Sequence, residues 1–385
     1  MLGLRSKPRA VEEKSTSLAD LIAFHSGGAA QWSSRDPEAL ARIGYHRNVI
    51  AYRCVQMIAD AAATVPLTLK EHGMVCHEHR ICGLLKRPNP DQSGQAFLET
   101  IYGHLQISGN AYLEIVRGGD DIIALYPLRP DRITIETNAS GWPNVYRYSV
   151  SGQSKRLRLD GDGGSEIIHL KLFNPLNDLY GQSPMQVAGR AIDLHNAAVE
   201  WNKSLLDNAA RPSGALVYRG PDGAENLTSD QFDRLKRELS DAYQGFRNAG
   251  RPMVLDGGLD WKQMSLSPAE MDFHRLKDGA ARDIALAFGV PPMLLGIPGD
   301  NTYSNYQQAV LAFWRQTVLP LVSRVAGGLT LALAEPAEEI GFDIDAIDAL
   351  TESRTDRLKA ILDAPFITDR EKRVVLGFPE DVAEA

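Results

Sequence analysis

The densest metal-binding chemistry in the chain lies between residues 76 and 82, where Cys76, His77, Glu78, His79 and Cys82 crowd together. Thiolates and imidazoles at such short spacing suit Zn²⁺, which takes four tetrahedral nitrogen or sulfur ligands. No second Cys-x-x-Cys or His-x-x-x-His cluster follows, so one short segment would have to supply every ligand. The segment is therefore read as a loop before Leu84. Asp160 and Asp162 with Gly163 open like a Ca²⁺ loop, but Lys171 stands where the closing glutamate belongs, which leaves a solvated turn. Gly181-Gln182-Ser183-Pro184 lacks the glycine that follows the serine in a nucleophile elbow, and Ser183 serves better as a helix N-cap. His169 has acid–base chemistry but no serine or cysteine partner in the pattern, so a hydrogen-bonded structural histidine is expected. There is no Gly-x-x-x-x-Gly-Lys-Ser/Thr phosphate loop, and the chain is not expected to hydrolyse ATP. No catalytic residue, metal or cofactor is assigned. The competing class is a cytoplasmic metal-dependent or hydrolytic enzyme built on residues 76–82 or 160–169.

A chain of 385 residues exceeds one typical domain, so two or three structural units are expected. Hydrophobic residues at 44% and charged residues at 23% are ordinary for a globular protein with a real core. Three cysteines are too few and too odd in number for a disulfide framework, which fits a reducing interior. Met1 to Ala10 carries basic residues but no apolar h-region, so a signal peptide is not expected. Nor is there an uninterrupted run of about 18 apolar residues to suggest a membrane span. With 41 basic and 49 acidic residues the formal charge is −8. That balance argues against a sequence-specific DNA binder, which needs a basic face. It leaves room for a protein that surrounds DNA and lets it slide.

The elements that would position such residues are well punctuated. Residues 1–36 are polar and small and read as a loosely held arm. Asp36 as N-cap with Pro37 at the first helical position starts a helix through about residue 63, with Val49, Val55, Ile58 and Ala62 on its buried face. Val65, Leu67 and Leu69 alternate as a strand does. Phe97, Ile101 and Leu105 mark a helix over 97–108. Strands are expected at 111–117, 122–126, 132–137, 145–150 and 166–173.

Helices dominate the second half. Ser183-Pro184-Met185-Gln186 is a capping box with proline at the first position, opening a helix to about Ala210, on the order of 40 Å long. Thr228-Ser229-Asp230-Gln231 and Ser267-Pro268-Ala269-Glu270 repeat the box, with Leu227 and Phe232, then Leu266 and Met271, as hydrophobic staples. The helix from the third box runs to Phe288. Gly289 can close it in the left-handed conformation, and Pro291 and Pro292 make the stop sharp. Ser304-Asn305-Tyr306-Gln307 opens a last long helix that Pro320 should kink. Thr368-Asp369-Arg370-Glu371 begins a short final helix ended by Gly377. Between the long helices sits a small insert, with strands at 215–218, 252–255 and 260–264 and a helix at 229–245. Two long helices separated by such a module suggest an elongated α+β molecule with the module at one tip.

The order of these elements, together with several short motifs, resembles the portal proteins of tailed phages, particularly the Hong Kong 97-type portals of long-tailed phages and gene transfer agents. The motifs span roughly residues 45–334: Asn48; Leu84-Leu85 with Pro88-Asn89-Pro90; Gly109-Asn110-Ala111-Tyr112; Leu125-Tyr126-Pro127-Leu128; Ile167-Ile168-His169; Tyr180-Gly181-Gln182-Ser183-Pro184; Phe288-Gly289-Val290-Pro291-Pro292; and Thr317-Val318-Leu319-Pro320. The resemblance implies a flexible arm at 1–36, a wing at 37–182, a stem helix at 183–210, a clip at 211–267 and a second stem helix at 268–290. A turn and tunnel loop at 291–304, a kinked wing helix at 305–334 and a reduced crown at 335–385 would follow. It also implies a ring, by resemblance a dodecamer, at one capsid vertex of a virion assembled in the bacterial cytoplasm. Its partners would be double-stranded DNA without sequence specificity, the terminase large subunit, the major capsid protein and a head–tail adaptor, with no membrane. Gly299, Asp300, Asn301, Thr302, Tyr303 and Ser304 would face the DNA, and Arg234, Lys236 and Arg237 on the insert helix would contact the motor. Another head–tail adaptor ring is the remaining alternative, and the paired long helices with their insert count against it.

Overall fold

The computed structural model describes residues 36–76, 78–119, 121–159, 164–207, 214–218, 230, 233–235, 237, 259–263, 273–299, 302–347, 349–350, 363, 368 and 370–372. The N-terminal arm, His77, Asp160 to Gly163, Lys236, Asp300, Asn301, the capping boxes at 228–231 and 267–270, the strand expected at 252–255 and Gly377 lie wholly or mainly outside these residues.

Helix α1 (Pro37–Ala39) runs into a π-helical turn (Leu40–Tyr45), and α2 (Val49–Ala63) follows. Strands β1 (Leu67–Glu71) and β2 (Met74–Cys76) form a hairpin, followed by α3 (Arg80–Lys86) and α4 (Gly94–Ser108). Six strands come next: β3 (Asn110–Gly118), β4 (Asp121–Leu128), β5 (Ile133–Thr137), β6 (Pro143–Val150), β7 (Gln153–Arg158) and β8 (Ile167–Lys171). They make two antiparallel sheets, ordered β4-β3-β8 and β5-β6-β7. The paired long helices begin with α5 (Pro184–Val187) and α6 (Gly189–Asp207) and return as α7 (Phe273–Phe288), with the antiparallel pair β9 (Gly214–Tyr218) and β10 (Leu259–Gln263) between. Helix α8 (Tyr303–Phe313), a π-helical turn (Trp314–Val318), α9 (Leu319–Leu333) and β11 (Glu338–Phe342) follow. β11 pairs with β1 to complete the third sheet.

Strand β3 explains how the two layers share one sheet. Its alternate residues Ala111, Leu113 and Ile115 are buried in the main core with Phe97, Ile101, Leu105, Val322 and Leu329. Tyr112 points the other way, into a second cluster with Leu128, Ile133, Ile135, Tyr146, Leu157 and Ile167. Successive residues of a strand face opposite sides, so β3 joins a helical layer to the β5-β6-β7 sheet. Every large buried side chain transferred from water contributes about 1.5–3 kcal/mol, which makes this strand a central source of stability.

Several local expectations need correction. The first helix is not continuous to residue 63. It breaks at 46–48, where Asn48 starts α2 as a new N-cap, accepting from the Ile50 and Ala51 amides at 3.1 and 3.0 Å. The restart changes the helical phase, so Val49 is 67% exposed while Val55, Ile58 and Ala62 are buried as expected. Residues 79–86 are not a loop: His79 caps α3, its ring Nδ1 accepting from the Ile81 amide. Two further strands form, β2 and β7: β2 is only three residues long, too short to show an alternating pattern, and in β7 every residue but Leu157 is polar or charged. Before Pro320 the long helix widens into the Trp314–Val318 π turn, an irregularity that accommodates a residue unable to donate to the regular ladder. By length and a mean hydropathy of 1.3 the span Ser304–Leu333 could cross a membrane. Here Phe313, Val318, Leu321, Val322, Val325, Ala326, Leu329 and Leu333 instead pack into the main core. At 368–371 the capping box forms in full. The Thr368 hydroxyl accepts from the Glu371 amide at 3.3 Å, and the Glu371 carboxylate accepts from the Thr368 amide at 2.9 Å. The Thr368 hydroxyl and amide together lower the Glu371 pKa.

Candidate functional site

The segment expected to form the tunnel loop follows α7 from a firmly built base. Helix α7 ends with Gly289 at φ +68°. The Val290 amide bonds the Ala285 carbonyl at 2.9 Å and the Gly289 amide the Leu286 carbonyl at 3.0 Å, the paired bonds of a Schellman stop. A second short turn, Pro292–Leu295, ends at Gly296, again left-handed at φ +72°. Ile297 then inserts against Ala281 and Ala285 of α7, with Ile50 and Leu295 alongside. The Arg282 guanidinium donates to the Pro298 carbonyl. From the other side, the Thr317 hydroxyl donates to the Gly289 carbonyl at 2.5 Å.

Beyond this base Gly299 is exposed, and the next described residue, Thr302, is the true cap of α8. Its hydroxyl accepts from the Asn305 amide at 3.3 Å, and its carbonyl from the Tyr306 amide at 3.0 Å. The expected cap at Ser304 is therefore two positions late. Either hydroxyl could cap, and the extended backbone of Thr302 (φ −95°, ψ 156°) decides between them. Tyr303 and Ser304 thus lie in the first helical turn, not in a loop. Ser304, Asn305, Tyr306, Gln307 and Gln308 follow one another as exposed, uncharged residues. Hydroxyls and amides can touch phosphate oxygens without the counterion release that makes Lys and Arg contacts tight.

The residues assigned to a motor contact are only partly placed. Arg234 and Arg237 are exposed on helical backbone one turn apart, and the Arg237 guanidinium donates to the Asp233 carbonyl at 3.2 Å.

The residues with the most chemical promise in the sequence are structural. His79 Nε2 lies 3.1 Å from Glu338 on β11 while its Nδ1 caps α3, so both ring nitrogens are occupied. Cys82 donates to the Cys76 carbonyl at 3.4 Å, and burial together with Glu71 raises the Cys76 pKa. Among the described residues no three metal-capable side chains converge. Lys171, at the twelfth position of the Ca²⁺-like segment, bonds the Asp178 carbonyl. Ser183 is a buried N-cap whose hydroxyl accepts from the Gln186 amide at 2.9 Å.

His169 stands in a closed network that the sequence alone did not reveal. It lies opposite Tyr112 in the β3–β8 register and stacks on it with ring centres 4.4 Å apart. Asn110 Oδ1 accepts from His169 Nε2 at 3.1 Å and from the Gly181 amide at 2.7 Å. Tyr146 donates its hydroxyl to His169 Nδ1 at 3.1 Å. Burial, reinforced by the Lys171 charge, pushes the His169 pKa down to about 3, so the ring is neutral and fixed in one tautomer. Gly109 and Gly181 touch backbone to backbone there: a side chain on Gly109 would meet the Gly181 carbonyl carbon at 2.7 Å. The other motifs are paired in the same way. Asn48 donates to His195 Nδ1 at 3.2 Å and Asn196 Oδ1 at 2.9 Å, and Asn89 donates to the Leu125 carbonyl at 2.9 Å.

A family profile described as phage portal protein matches residues 50–377. A chain in the neck of an empty gene transfer agent particle, computed with C6 symmetry, superposes with a TM-score of 0.71 at 46% identity, covering 91% of this chain and 96% of that one. A chain in the neck of the native particle, computed with C12 symmetry, gives 0.69 at 46% identity, with coverages of 91% and 96%. The portal protein of Enterobacteria phage HK97 is 25% identical over 305 residues, 75% of this chain and 68% of that protein.

Proposed function

Since the chain belongs to the phage portal protein family, we propose that it is a capsid portal subunit whose copies close into a ring, a dodecamer, and conduct double-stranded DNA during packaging and exit. Its identity to neck chains at 46%, one in a C12 assembly, supports both the ring and the vertex position in the virion. Cyclic closure needs two different patches on each subunit meeting head to tail.

The observation that carries the channel reading is the exposed, uncharged Thr302 and run from Ser304 to Gln308 that follow the Ile297–Arg282 base. A lining of fixed cations would hold phosphates and stall movement, with affinity rising steeply as each contact releases counterions. Neutral amides and hydroxyls let the duplex pass. Gly299, Asp300, Asn301, Thr302, Tyr303 and Ser304 are the bore-facing residues. The wing occupies 37–182 and 305–334, the stem helices 183–210 and 268–290, the clip 211–267 and the crown 335–385. Arg234, Lys236 and Arg237 on the clip meet the terminase large subunit, which supplies ATP hydrolysis; the portal itself guides and retains DNA without chemistry. The major capsid protein and a head–tail adaptor complete the set of partners, and assembly takes place in the bacterial cytoplasm.

Negative-stain electron microscopy of the purified chain, averaged down the particle axis, tests the reading. Rings with a central channel wide enough for duplex DNA support it. Monomers or two-fold oligomers at every protein and salt concentration would sink it.

A further inference from the structure

We propose that the β11-β1-β2 sheet docks the extended carboxyl end of a partner polypeptide, in the place beside β1 that β2 leaves open. The site is independent of the ring and channel reading. β1 runs from Leu67 to Glu71, whereas β2 ends with Cys76 opposite Leu69. Leu67 and Thr68 therefore have β11 on one side, opposite Phe342 and Gly341, and no strand on the other among the described residues.

The backbone at this place is aimed outward. His72 (φ +50°) and Gly73 (φ +83°) make the two-residue turn of the β1–β2 hairpin, both left-handed as a type I′ turn requires. Such a turn makes Glu71 and Met74 a hydrogen-bonded pair. Antiparallel pairs alternate, so Leu69 and Leu67 face the β2 side, while Thr68 and Pro66 face β11. The Asp343 amide, which donates to the Pro66 carbonyl at 3.0 Å, fits that phase. The Leu67 amide and carbonyl are thus presented to a strand that the described residues do not supply. The opposite edge of the sheet is covered by α9, whose Thr330 hydroxyl accepts from the Ile340 amide at 2.9 Å. An unpaired strand edge is a template for an extended chain.

The open place continues into a groove of about 540 Å³ between the end of α2, the start of β1, the end of α3 and the start of α4. That volume falls within the range of about 300–1,000 Å³ typical of ligand clefts. Pro66, Leu67, Cys82, Leu85 and Leu98 give it an apolar wall. Lys86, exposed at the end of α3, is the charged residue of the lining, and no ion pair engages it among the described residues. An open ladder position matches an extended backbone, the apolar wall an aliphatic side chain, and the free ammonium a carboxylate. The carboxyl end of an extended polypeptide with an aliphatic last residue carries all three on neighbouring atoms. A fatty acid lacks the amide.

The test is fluorescence anisotropy of the full-length chain with a fluorescein-labelled hexapeptide, Thr-Val-Thr-Val-Thr-Leu, bearing a free carboxyl end. Saturable binding is expected, weakened about tenfold or more when the terminus is amidated. N-methylation of the last two peptide nitrogens, which removes the donors of a strand ladder, should abolish it. Lys86→Gln should bring the free acid down to the affinity of the amide. Its side chain is exposed, so circular dichroism and the melting midpoint should hold. Bound peptide should also slow the alkylation of Cys82 by iodoacetamide, since Cys82 lines the groove. Equal affinity for acid and amide, binding that survives N-methylation, unchanged alkylation of Cys82, or no saturable binding overturns the docking site. None of these results bears on whether the chain forms rings under the microscope, so the two readings fail separately.

Discussion

Two regions of this molecule divide the work of being recognisable and the work proposed for it. Around His169 and Asn110 the side-chain hydrogen-bonding groups are met by protein partners within a few ångströms, and two glycines touch backbone to backbone. Around Thr302 its hydroxyl and carbonyl accept the bonds that start a helix, and the side chains from Ser304 to Gln308 are exposed. The motifs that carried the resemblance fall in the first region or at equally tight junctions, Asn48 with His195 and Gly289 with Thr317. The residues proposed to meet DNA fall in the second. Family likeness here follows the demands of packing, because a glycine that must touch a backbone admits no substitute. A polar turn that must merely avoid holding phosphate admits many.

The sharpest way to break this contrast is to put one methyl group in each region. Gly181→Ala forces a side chain into the Gly109 carbonyl and should cost about 3 kcal/mol or more in urea unfolding. Gly299→Ala, whose Cβ would meet only the Arg282 guanidinium at 3.5 Å, should change stability by less than about 0.5 kcal/mol. Similar losses at both sites would erase the distinction.

Removing the shared acceptor comes next. Asn110→Ala strands the Gly181 amide and the His169 N–H, and a loss of about 2–3 kcal/mol is expected. A shift near zero in the denaturation midpoint would mean that water replaces the amide and the network is open.

Acid should then find the first region before the second. With its folded pKa held down to about 3 and an unfolded value near 6.5, His169 binds a proton more readily in the unfolded chain. Stability therefore falls as pH drops below about 6.5, with a slope from this group of up to about 1.4 kcal/mol per pH unit, and levels off only below the folded pKa. Urea midpoints across pH 7 to 4 measure it, and His169→Phe should remove that slope. An unchanged slope would show that other groups carry the acid response.

Smaller effects sharpen the second region. Thr302→Ala should loosen the start of α8 by about 1 kcal/mol, visible as faster amide exchange at Asn305 and Tyr306 with the global midpoint nearly unmoved. Tyr303→Ala should leave the melting midpoint where it is and lower the DNA retained by assembled particles. A variant that loses stability but retains DNA would reverse the roles assigned here.

Much of the architecture was legible in one dimension because it rests on local rules. Ser183 before Pro184, Gly289 before two prolines, and the four-residue spacing of Phe97, Ile101 and Leu105 each specify an element through contacts a few residues apart. What the chain order could not show is which distant segments would close on one another. Nothing in Asn110 announces Gly181, and nothing in His79 announces Glu338 on a strand more than 250 residues later. The cap of α8 illustrates the limit at shortest range: Thr302 and Ser304 are equally able by type, and backbone geometry chose the first.

The sequence by itself determined the alternation of an α+β half with a helical half, most helix stops and starts, and the resemblance to portal proteins, since propensity, capping and periodicity act between neighbours in the chain. Only the tertiary structure decided which partners His169, Cys82 and His79 bond, that α2 begins anew at Asn48, and which faces of α6 and α7 are left outward. Burial and hydrogen-bond pairing are properties of segments brought together from far apart, and no local pattern encodes the partner.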